Sequence, residues 1–183
     1  HLTEAGGVAV KADSPYKTIE ELVAAAKEKG NLKASTNGNK ASNHTAAQLL
    51  AKSAGFKYKA IPYGGTADQL LALRQGEVDF TCAKVADVAK LVKGDKPELR
   101  VLAVFNTKRD PELPNVPTLG EKGLYPEWYG SARALVAPKG TKPEVIQYYV
   151  EAFKKTMQDP AVIEAHKKAG MALDFKDNKE LGD

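Results

Sequence analysis

The sequence predicts an α/β fold, in which a largely parallel β-sheet is flanked by helices. Short apolar segments with strand character alternate with amphipathic segments from Gly7 to Phe105. Most of the amphipathic segments begin and end with residues that favour helix termini. The last apolar segment, Leu99–Phe105, is almost wholly apolar, as expected of a strand buried on both faces. Because strands that alternate with helices usually pair in parallel, this order favours a sheet covered by helices.

The first predicted elements are a strand, a capped helix and a second strand. The segment GVAVKA (Gly7–Ala12) is short and apolar, which is typical of a strand. In the following TIEELVAAAKEKG, Thr18 and Glu21 occupy the positions of a capping box, and Gly30 stops the helix. The segment LKAS (Leu32–Ser35) then predicts the next strand.

A run of small polar residues joins this second strand to the next helix, which should close near Gly55. The stretch KASTNGNKASNHTAAQLL (Lys33–Leu50) contains it. A helix N-terminus carries unpaired N–H groups and about half a positive charge, so it can hold a carboxylate or phosphate. We therefore predict a ligand site here, with candidate residues Ser35, Thr36, Asn37, Gly38, Lys40, Ser42, Asn43 and His44.

Two other interpretations of this stretch have to be weighed against a ligand site. Ser42 or Asn39 could simply cap the helix and leave the rest as a solvated loop, because capping residues are common. A phosphate-binding P-loop is excluded, since only one of its glycines is present (Gly38) and Lys40 is followed by Ala41.

A second junction of the same kind follows. The segment KYKAIPY (Lys57–Tyr63) alternates like a strand, and GGTADQLLALRQG then begins a helix with Thr66 and Gln69 in capping-box positions. Consecutive βα units present their strand ends at the same edge of a parallel sheet. Tyr63, Gly64 and Gly65 therefore join the predicted ligand-binding residues.

The remaining elements complete the predicted α/β lobe and a more irregular second part. EVDFTC (Glu77–Cys82) predicts a strand, and KVADVAKLVKG an amphipathic helix. After Phe105 comes a long connection rich in proline and glycine, then the β-like run YGSARALVAP. Two helices follow: one has Thr141 and Glu144 in capping-box positions, and the other should stop at Gly170.

Composition excludes several classes of function. The 183 residues carry a formal net charge of +4, with a pI of about 9.0. Basic residues come at most in pairs and acidic residues are interleaved, so we predict no nucleic-acid surface. The positive excess favours an anionic ligand. The single cysteine, Cys82, cannot form an internal disulfide and has no metal-ligand spacing around it, and we expect no cofactor.

Five segments, in order, carry a resemblance to a known family. They are ASTNGNKASNH, IPYGGTADQLLALRQGEVDF, LRVLAVFNTKRDPELPNVPTLGEKG, WYGSARALVAPKGTKPEVI and DPAVIEAHKKAGM, and together they cover nearly the whole chain. The chain resembles the periplasmic solute receptors of tripartite tricarboxylate transporters, the Bug family. This resemblance implies a two-domain clamshell of the type II periplasmic-binding-protein class, without enzymatic activity. Such receptors bind a di- or tricarboxylate or a similar organic acid and deliver it to membrane permease subunits.

The resemblance also implies a division into domains. Residues 1–15 would form a crossover strand and hinge, residues 16–104 a complete domain two, and residues 105–183 the returning part of an incomplete domain one. The chain opens with HLTEAGG, without Met or a signal peptide, so we expect a fragment that lacks the N-terminal part of domain one. A homo-oligomer could cover the incomplete domain.

Three residues bear on the ligand through the resemblance. Trp128 occupies a position that the family places at the cleft. Lys40 stands where a small residue is usual and would add positive charge near the ligand. Ala83 stands where many relatives carry an acidic residue. The absence of an acidic side chain at this position favours a plain carboxylate ligand over an amino acid.

Two competing functions remain at this stage. The first is the effector-sensing domain of a transcriptional regulator or signalling receptor, which shares the general fold. The second is a hydrolase that uses Cys82 with His44, although a cysteine nucleophile needs an adjacent base and an orienting third group. The G-x-S-x-G elbow of serine hydrolases does not occur in the sequence.

Overall fold

The computed structural model describes residues 2–168, 173 and 175–180 of the chain. The strands in these residues are β1 (Leu2–Lys11), β2 (Lys33–Thr36), β3 (Lys59–Pro62), β4 (Phe80–Lys84), β5 (Leu99–Val104) and β6 (Gly130–Arg133). The α-helices are α1 (Ile19–Lys29), α2 (Ser42–Ala54), α3 (Thr66–Gln75), α4 (Val85–Val88), α5 (Pro143–Met157) and α6 (Pro160–Lys168). A short 3₁₀ helix, Ala89–Leu91, continues α4. The predicted α/β class is therefore confirmed.

The sheet is mixed, and most of its strands point the same way. Its order is β3-β2-β4-β1-β5, and β6 pairs with β1. Strand β2 is parallel to β3 and β4, whereas β1 is antiparallel to both β4 and β5. The predicted parallel character therefore applies to β2, β3, β4 and β5, with β1 inserted against them. As a result, the carboxyl ends of β2, β3 and β4 lie side by side at one edge.

Helices cover both faces of this sheet. On one face, α1 and α2 bury Ile19, Leu22 and Leu50 against residues of the central strands such as Phe80. On the other face, Leu73 of α3 belongs to a second apolar cluster, with residues from β1, β4 and β5. Neighbouring strand residues point to opposite faces, so the sheet sits between two layers. This buried apolar area supplies the main stabilisation of the fold.

The ends of the first two helices agree with the sequence. Thr18 Oγ1 accepts from Glu21 N at 3.2 Å, and Glu21 Oε2 accepts from Thr18 N at 3.3 Å, so the predicted capping box is confirmed. Gly30 adopts a left-handed φ of 67° and its N–H donates to Ala26 O. Gly55 ends α2 in the same conformation, as predicted.

Among the predictions about the other helices, two are wrong and one is confirmed only in part. Thr141 does not cap α5: the cap residue is Lys142, and the Thr141 hydroxyl donates to Pro138 O instead. The amphipathic helix expected after β4 shortens to one turn of α-helix and one of 3₁₀ helix. The capping box expected at Thr66 is also absent, for a reason given below. The predicted stop at Gly170 lies outside the described residues.

The chain divides into two compact units, which we treat separately. Residues 5–130 form one, and the described residues of 1–4 and 131–183 form the other. Residues 105–130 belong with the sheet, because Phe105 N donates to Gly6 O and Leu119 N to Val104 O. The domain limits expected from the family concern a longer fold and stay a prediction.

The second unit is mostly helical. No residue of α5 or α6 is buried, and apolar side chains such as Tyr148 (71% exposed) lie at the surface. Arg133 pairs with the buried carboxylate of Glu4 at 2.8 Å. Within the described part of the chain, no helix is both long and apolar enough to cross a membrane.

Candidate functional site

The candidate site lies at the edge where three parallel strands end and three helices begin. Strand β2 leads into α2, β3 into α3, and β4 directly into α4. The pairing of Ser35 with Ile61 and of Thr36 with Pro62 keeps the ends of β2 and β3 level. The N–H of Tyr63 donates to Thr36 O at 2.9 Å, which joins the two strand ends beyond the last pair. The sequence prediction that both junctions share one edge is consistent with this topology.

The start of α2 has no side-chain cap. Its N-cap residue is Ala41, which cannot accept a hydrogen bond through its side chain. The interpretation that Ser42 or Asn39 merely caps this helix is therefore wrong. Among the described residues, the backbone N–H groups of Ser42, Asn43 and His44 have no acceptor. These donors point out of the helix start, where the helix dipole is positive.

The loop before α2 makes a tight turn that depends on two left-handed residues. Gly38 has a φ of 119° and Lys40 a φ of 61°, and Lys40 is the non-glycine residue with a positive φ in the described chain. Lys40 N donates to His44 Nδ1 at 3.0 Å, so the imidazole closes the turn. The side-chain oxygen of Asn37 is buried without a hydrogen-bond partner among the described residues. Lys40 itself is exposed, and its side chain carries a positive charge.

The start of α3 also lacks a side-chain cap. Its N-cap is Gly65, and Thr66 is already the first helical residue, so the predicted capping box of Thr66 and Gln69 is wrong. The physical reason is that the Gln69 side chain turns into the protein and is fully buried (0% exposed). At this second helix start, no acceptor among the described residues serves the N–H groups of Thr66 and Ala67.

Gln69 is the centre of a buried polar network. Its Nε2 donates to Cys82 O at 2.9 Å and to Ser35 O at 3.2 Å, and it also contacts Thr81 Oγ1. Its Oε1 accepts from Asn43 Nδ2 at 2.8 Å. The Ser35 hydroxyl lies 3.1 Å from Gln69 O and 3.0 Å from Thr81 Oγ1. All the polar side chains of this network are buried and partnered, which is the condition for burying them at low cost.

The eleven predicted site residues between positions 35 and 65 fall into two groups. Three have buried side chains, so a ligand could reach them only through the backbone or through the residues they hold: Ser35, Thr36 and Asn43. The others lie at least partly exposed around the two helix starts, in the loop before α2 and at the end of β3: Asn37, Gly38, Lys40, Ser42, His44, Tyr63, Gly64 and Gly65. The ligand-binding roles of both groups remain predictions.

One aromatic residue from the segment between β5 and β6 contacts this edge. The Tyr129 hydroxyl donates to Ser42 O at 3.3 Å, so its ring lies beside the first turn of α2. The adjacent predicted residue Trp128 is 38% exposed. Tyr63 bonds Glu77 through its hydroxyl at 3.1 Å, and partial burial together with that carboxylate raises its pKa.

Cys82 has none of the properties of a nucleophile. Its side chain is fully buried in the apolar cluster on the α1–α2 face, and burial raises the pKa of its thiol well above the usual range. A reactive cysteine needs the opposite, an exposed thiol with a lowered pKa. His44, its supposed base, is bonded to Lys40 N. In the described residues no three His, Cys, Asp or Glu side chains are grouped to hold a metal ion.

Sequence reasoning missed the residues that organise the site. Gln69 was assigned to a helix cap, and Thr81 was given no role. The sequence does contain a signal for them, because both polar residues lie in segments whose other buried positions are apolar. Leu73 is such a position in α3, and Phe80 is one in β4. A polar residue at such a position is expected to find a buried partner.

Comparisons with known proteins identify close relatives. The sequence matches the profile of the tripartite tricarboxylate transporter family receptor (TctC) over residues 2–182. It is 38% identical over 155 residues to the UPF0065 protein in the gbd 5' region of Cupriavidus necator, an alignment that covers 84% of this chain. That alignment covers 46% of the relative, so the chain spans about half of its length.

Solved structures of the same class superpose on nearly all of the chain. A TctC solute-binding protein from Polaromonas, without ligand, is 28% identical with a TM-score of 0.87, and the match covers 99% of this chain and 62% of that one. The R. palustris protein Rpa4515, solved with adipate, is 22% identical with a TM-score of 0.78 over 99% of this chain and 60% of its own. The predicted type II periplasmic-binding-protein fold is confirmed.

Proposed function

The chain belongs to the tripartite tricarboxylate transporter receptor family, and from that premise we propose that it captures a small organic carboxylate outside the cytoplasm for a membrane permease. Members of this family have the fold of solute-binding receptors rather than of enzymes. The observation that carries the proposal is the pair of uncapped helix N-termini, at α2 and α3, on neighbouring strand ends.

The two helix starts supply what a dissolved carboxylate would lose on leaving water. Each first turn offers backbone N–H groups that have no acceptor among the described residues, and each helix adds a partial positive charge. Gly38 and Gly65 place little side-chain bulk in front of these donors. Lys40 contributes a full positive charge at the rim. Together these features favour an anion over a neutral ligand.

The ligand class that fits best is a dicarboxylate. The solved relative from R. palustris holds adipate. Ala83, at the position where the resemblance places an acidic residue in many relatives, is a buried residue of β4 and offers no carboxylate to a ligand ammonium. A plain acid with two carboxylates therefore suits the site better than an amino acid. A periplasmic location and transfer to permease subunits belong to the same proposal, because the chain belongs to a family of transporter receptors.

A thermal-shift panel on the full-length protein tests the proposal. We would compare succinate, malate, adipate and citrate with glutamate, arginine and inorganic phosphate. A ligand at about 100 times its Kd adds about 2.7 kcal/mol to the free energy of unfolding. A protein of 150–250 residues shifts by roughly 2–4 °C per kcal/mol and a larger one by less, so the midpoint should rise by a few degrees. A shift with succinate, malate, adipate or citrate that glutamate, arginine and phosphate do not produce supports the proposal.

The controls separate this function from the regulator alternative. Sodium chloride at equal ionic strength removes unspecific effects of anions, because surface charges are screened by salt. If no acid shifts the midpoint, the receptor proposal is contradicted. The alternative would then be favoured, namely an effector-sensing domain that binds another kind of ligand. A shift with phosphate alone would also contradict it, since it would make the site one for inorganic anions.

A further inference from the structure

The two uncapped helix starts are held together by one buried side chain. Gln69 lies in the first turn of α3, yet its Oε1 accepts from Nδ2 of Asn43, which lies in the first turn of α2, at 2.8 Å. Both residues are buried, with exposed fractions of 0% and 4%. This hydrogen bond is therefore a direct side-chain link between the two elements that the proposed function uses.

The same side chain also ties both helix starts to the sheet beneath them. Gln69 Nε2 donates to Ser35 O near the end of β2 and to Cys82 O in β4. The hydroxyl of Thr81 donates to Ser35 O at 3.0 Å and lies in contact with Gln69 Nε2. One carboxamide thus joins four elements, namely β2, α2, α3 and β4.

We infer that Gln69 is a positioning residue: it sets the α2 start and the α3 start in the mutual geometry that a carboxylate ligand requires. This inference rests on the proposed function. Gln69 itself does not reach the ligand, because its side chain is enclosed by the network. Binding sites lose affinity when the residues behind them no longer hold the donors in place.

The chemistry of the carboxamide explains why this position holds glutamine. It needs an acceptor for Asn43 and donors for Ser35 O and Cys82 O, and a carboxamide has both. Glutamate could accept from Asn43 but would bury a charge and lose both donors. Methionine has nearly the same length but makes none of the three hydrogen bonds.

The test uses Gln69→Met in the full-length protein, with Asp79→Ala as the matched control. Asp79 Oδ2 accepts from Lys33 N at 2.7 Å, so it joins the same two strands at the end of β2 that is remote from the site. Thr81→Val serves as the second variant if Gln69→Met does not fold. Two readouts are measured below the unfolding midpoint of every variant: amide hydrogen exchange without ligand, and the Kd for adipate by calorimetry.

We expect Gln69→Met to loosen both turns and weaken binding. The amides of Thr45 and Tyr63, which donate to Ala41 O and Thr36 O, should exchange about tenfold faster, as for loss of one hydrogen bond. The amide of Gly30, remote from the site, should be unchanged. The Kd for adipate should rise about tenfold, while Asp79→Ala should stay within about twofold of wild type.

The outcomes separate the inference from the function on which it rests. If wild type binds no acid but the exchange pattern is as expected, the positioning role stands and the receptor proposal fails. If Gln69→Met leaves the Thr45 and Tyr63 amides unchanged, or binds adipate with the wild-type Kd, the inference is overturned. Equal losses of affinity in Gln69→Met and Asp79→Ala would also overturn it, because they would reflect general destabilisation.

Discussion

The backbone N–H of Lys40 donates to Nδ1 of His44 across 3.0 Å, and Lys40 holds this bond from a left-handed conformation with a φ of 61°. For a residue with a side chain, this region of backbone space is unfavourable. The loop before α2 therefore keeps a strained lysine at its tip, next to helix donors without acceptors among the described residues. Strain of this kind is commonest where binding depends on it.

Replacing Lys40 by glycine should stabilise the protein. Lys40→Gly removes the cost of the left-handed conformation, so the free energy of unfolding in urea should rise by up to about 1 kcal/mol. Lys40→Gln keeps a side chain at the same φ and should give no such gain. Both variants lose the same charge, so both should bind adipate more weakly than wild type. A destabilised Lys40→Gly would show that the turn is not strained.

A carboxylate built into the start of α3 should compete with the ligand. Gly65 is extended, with a φ of −178°, and an added Cβ would meet nothing within 4 Å. Gly65→Asp should therefore cap α3 and raise stability by roughly 0.3–1 kcal/mol. Its own carboxylate would then occupy the donors that we assign to the ligand.

Gly65→Asn is the matched variant, because it caps α3 without adding charge. We expect the affinity for adipate, measured by calorimetry, to fall most in Gly65→Asp and less in Gly65→Asn. Unchanged binding in Gly65→Asp, together with raised stability, would show that the α3 start does not hold the ligand.

Cys82 should make the protein less stable in alkali. Burial raises the pKa of its thiol in the folded state above the ordinary value of 9.0. The unfolded chain therefore releases this proton first, and stability falls as pH rises above about 9, by up to about 1.4 kcal/mol per pH unit. Below pH 8 the group contributes no pH dependence.

Urea unfolding of wild type and Cys82→Ala at pH 8, 9 and 10 measures this effect. The difference in free energy between the two proteins should shrink as the pH rises, because only wild type carries the thiol. Iodoacetamide should modify native Cys82 far more slowly than the unfolded chain. Parallel stability curves, or rapid native alkylation, would show that the thiol is not buried.

Removing the hydroxyl of Tyr58 and removing that of Tyr129 should change the free energy of unfolding in opposite directions. The Tyr58 hydroxyl is buried without a partner among the described residues, and burial raises its pKa to about 12. Tyr58→Phe should therefore stabilise the fold by roughly 1 kcal/mol. Tyr129→Phe removes the hydrogen bond to Ser42 O and should destabilise it by about 0.5–1.5 kcal/mol. Thermal and urea unfolding would both measure these changes in the free energy of unfolding. A change of the same sign in both variants would contradict the claim that one hydroxyl is unpartnered and the other is hydrogen-bonded.

The capping boxes show how far the sequence predicts local structure. Thr18–Glu21 and Thr66–Gln69 have the same spacing, but only the first forms the box. Glutamate at the third helical position is charged and remains exposed, so it turns back to the helix start. Gln69 is neutral and can be buried if its amide is satisfied, which the tertiary contacts provide. Such contacts are not contained in a pattern of neighbouring residues.

The position of the candidate site followed from element order alone, whereas the direction of its side chains did not. Alternating strands and helices predicted that the α2 and α3 starts share one edge, and the parallel pairing of β2 with β3 agrees with this. That Ser35 faces inward depends on Gln69 and Thr81, which are distant in sequence. Likewise, the antiparallel insertion of β1 depends on pairing with β4 and β5.

The most direct test of the account is to follow the helix-start amides while the ligand binds. In ¹H–¹⁵N spectra of the full-length protein, adipate should shift the amides of residues 42–44 and 66–68 together, along one saturable binding curve. The amide of Gly30, at the far end of α1, should not move. Saturable binding that leaves both helix starts unshifted would contradict the claim that their free donors hold the carboxylate.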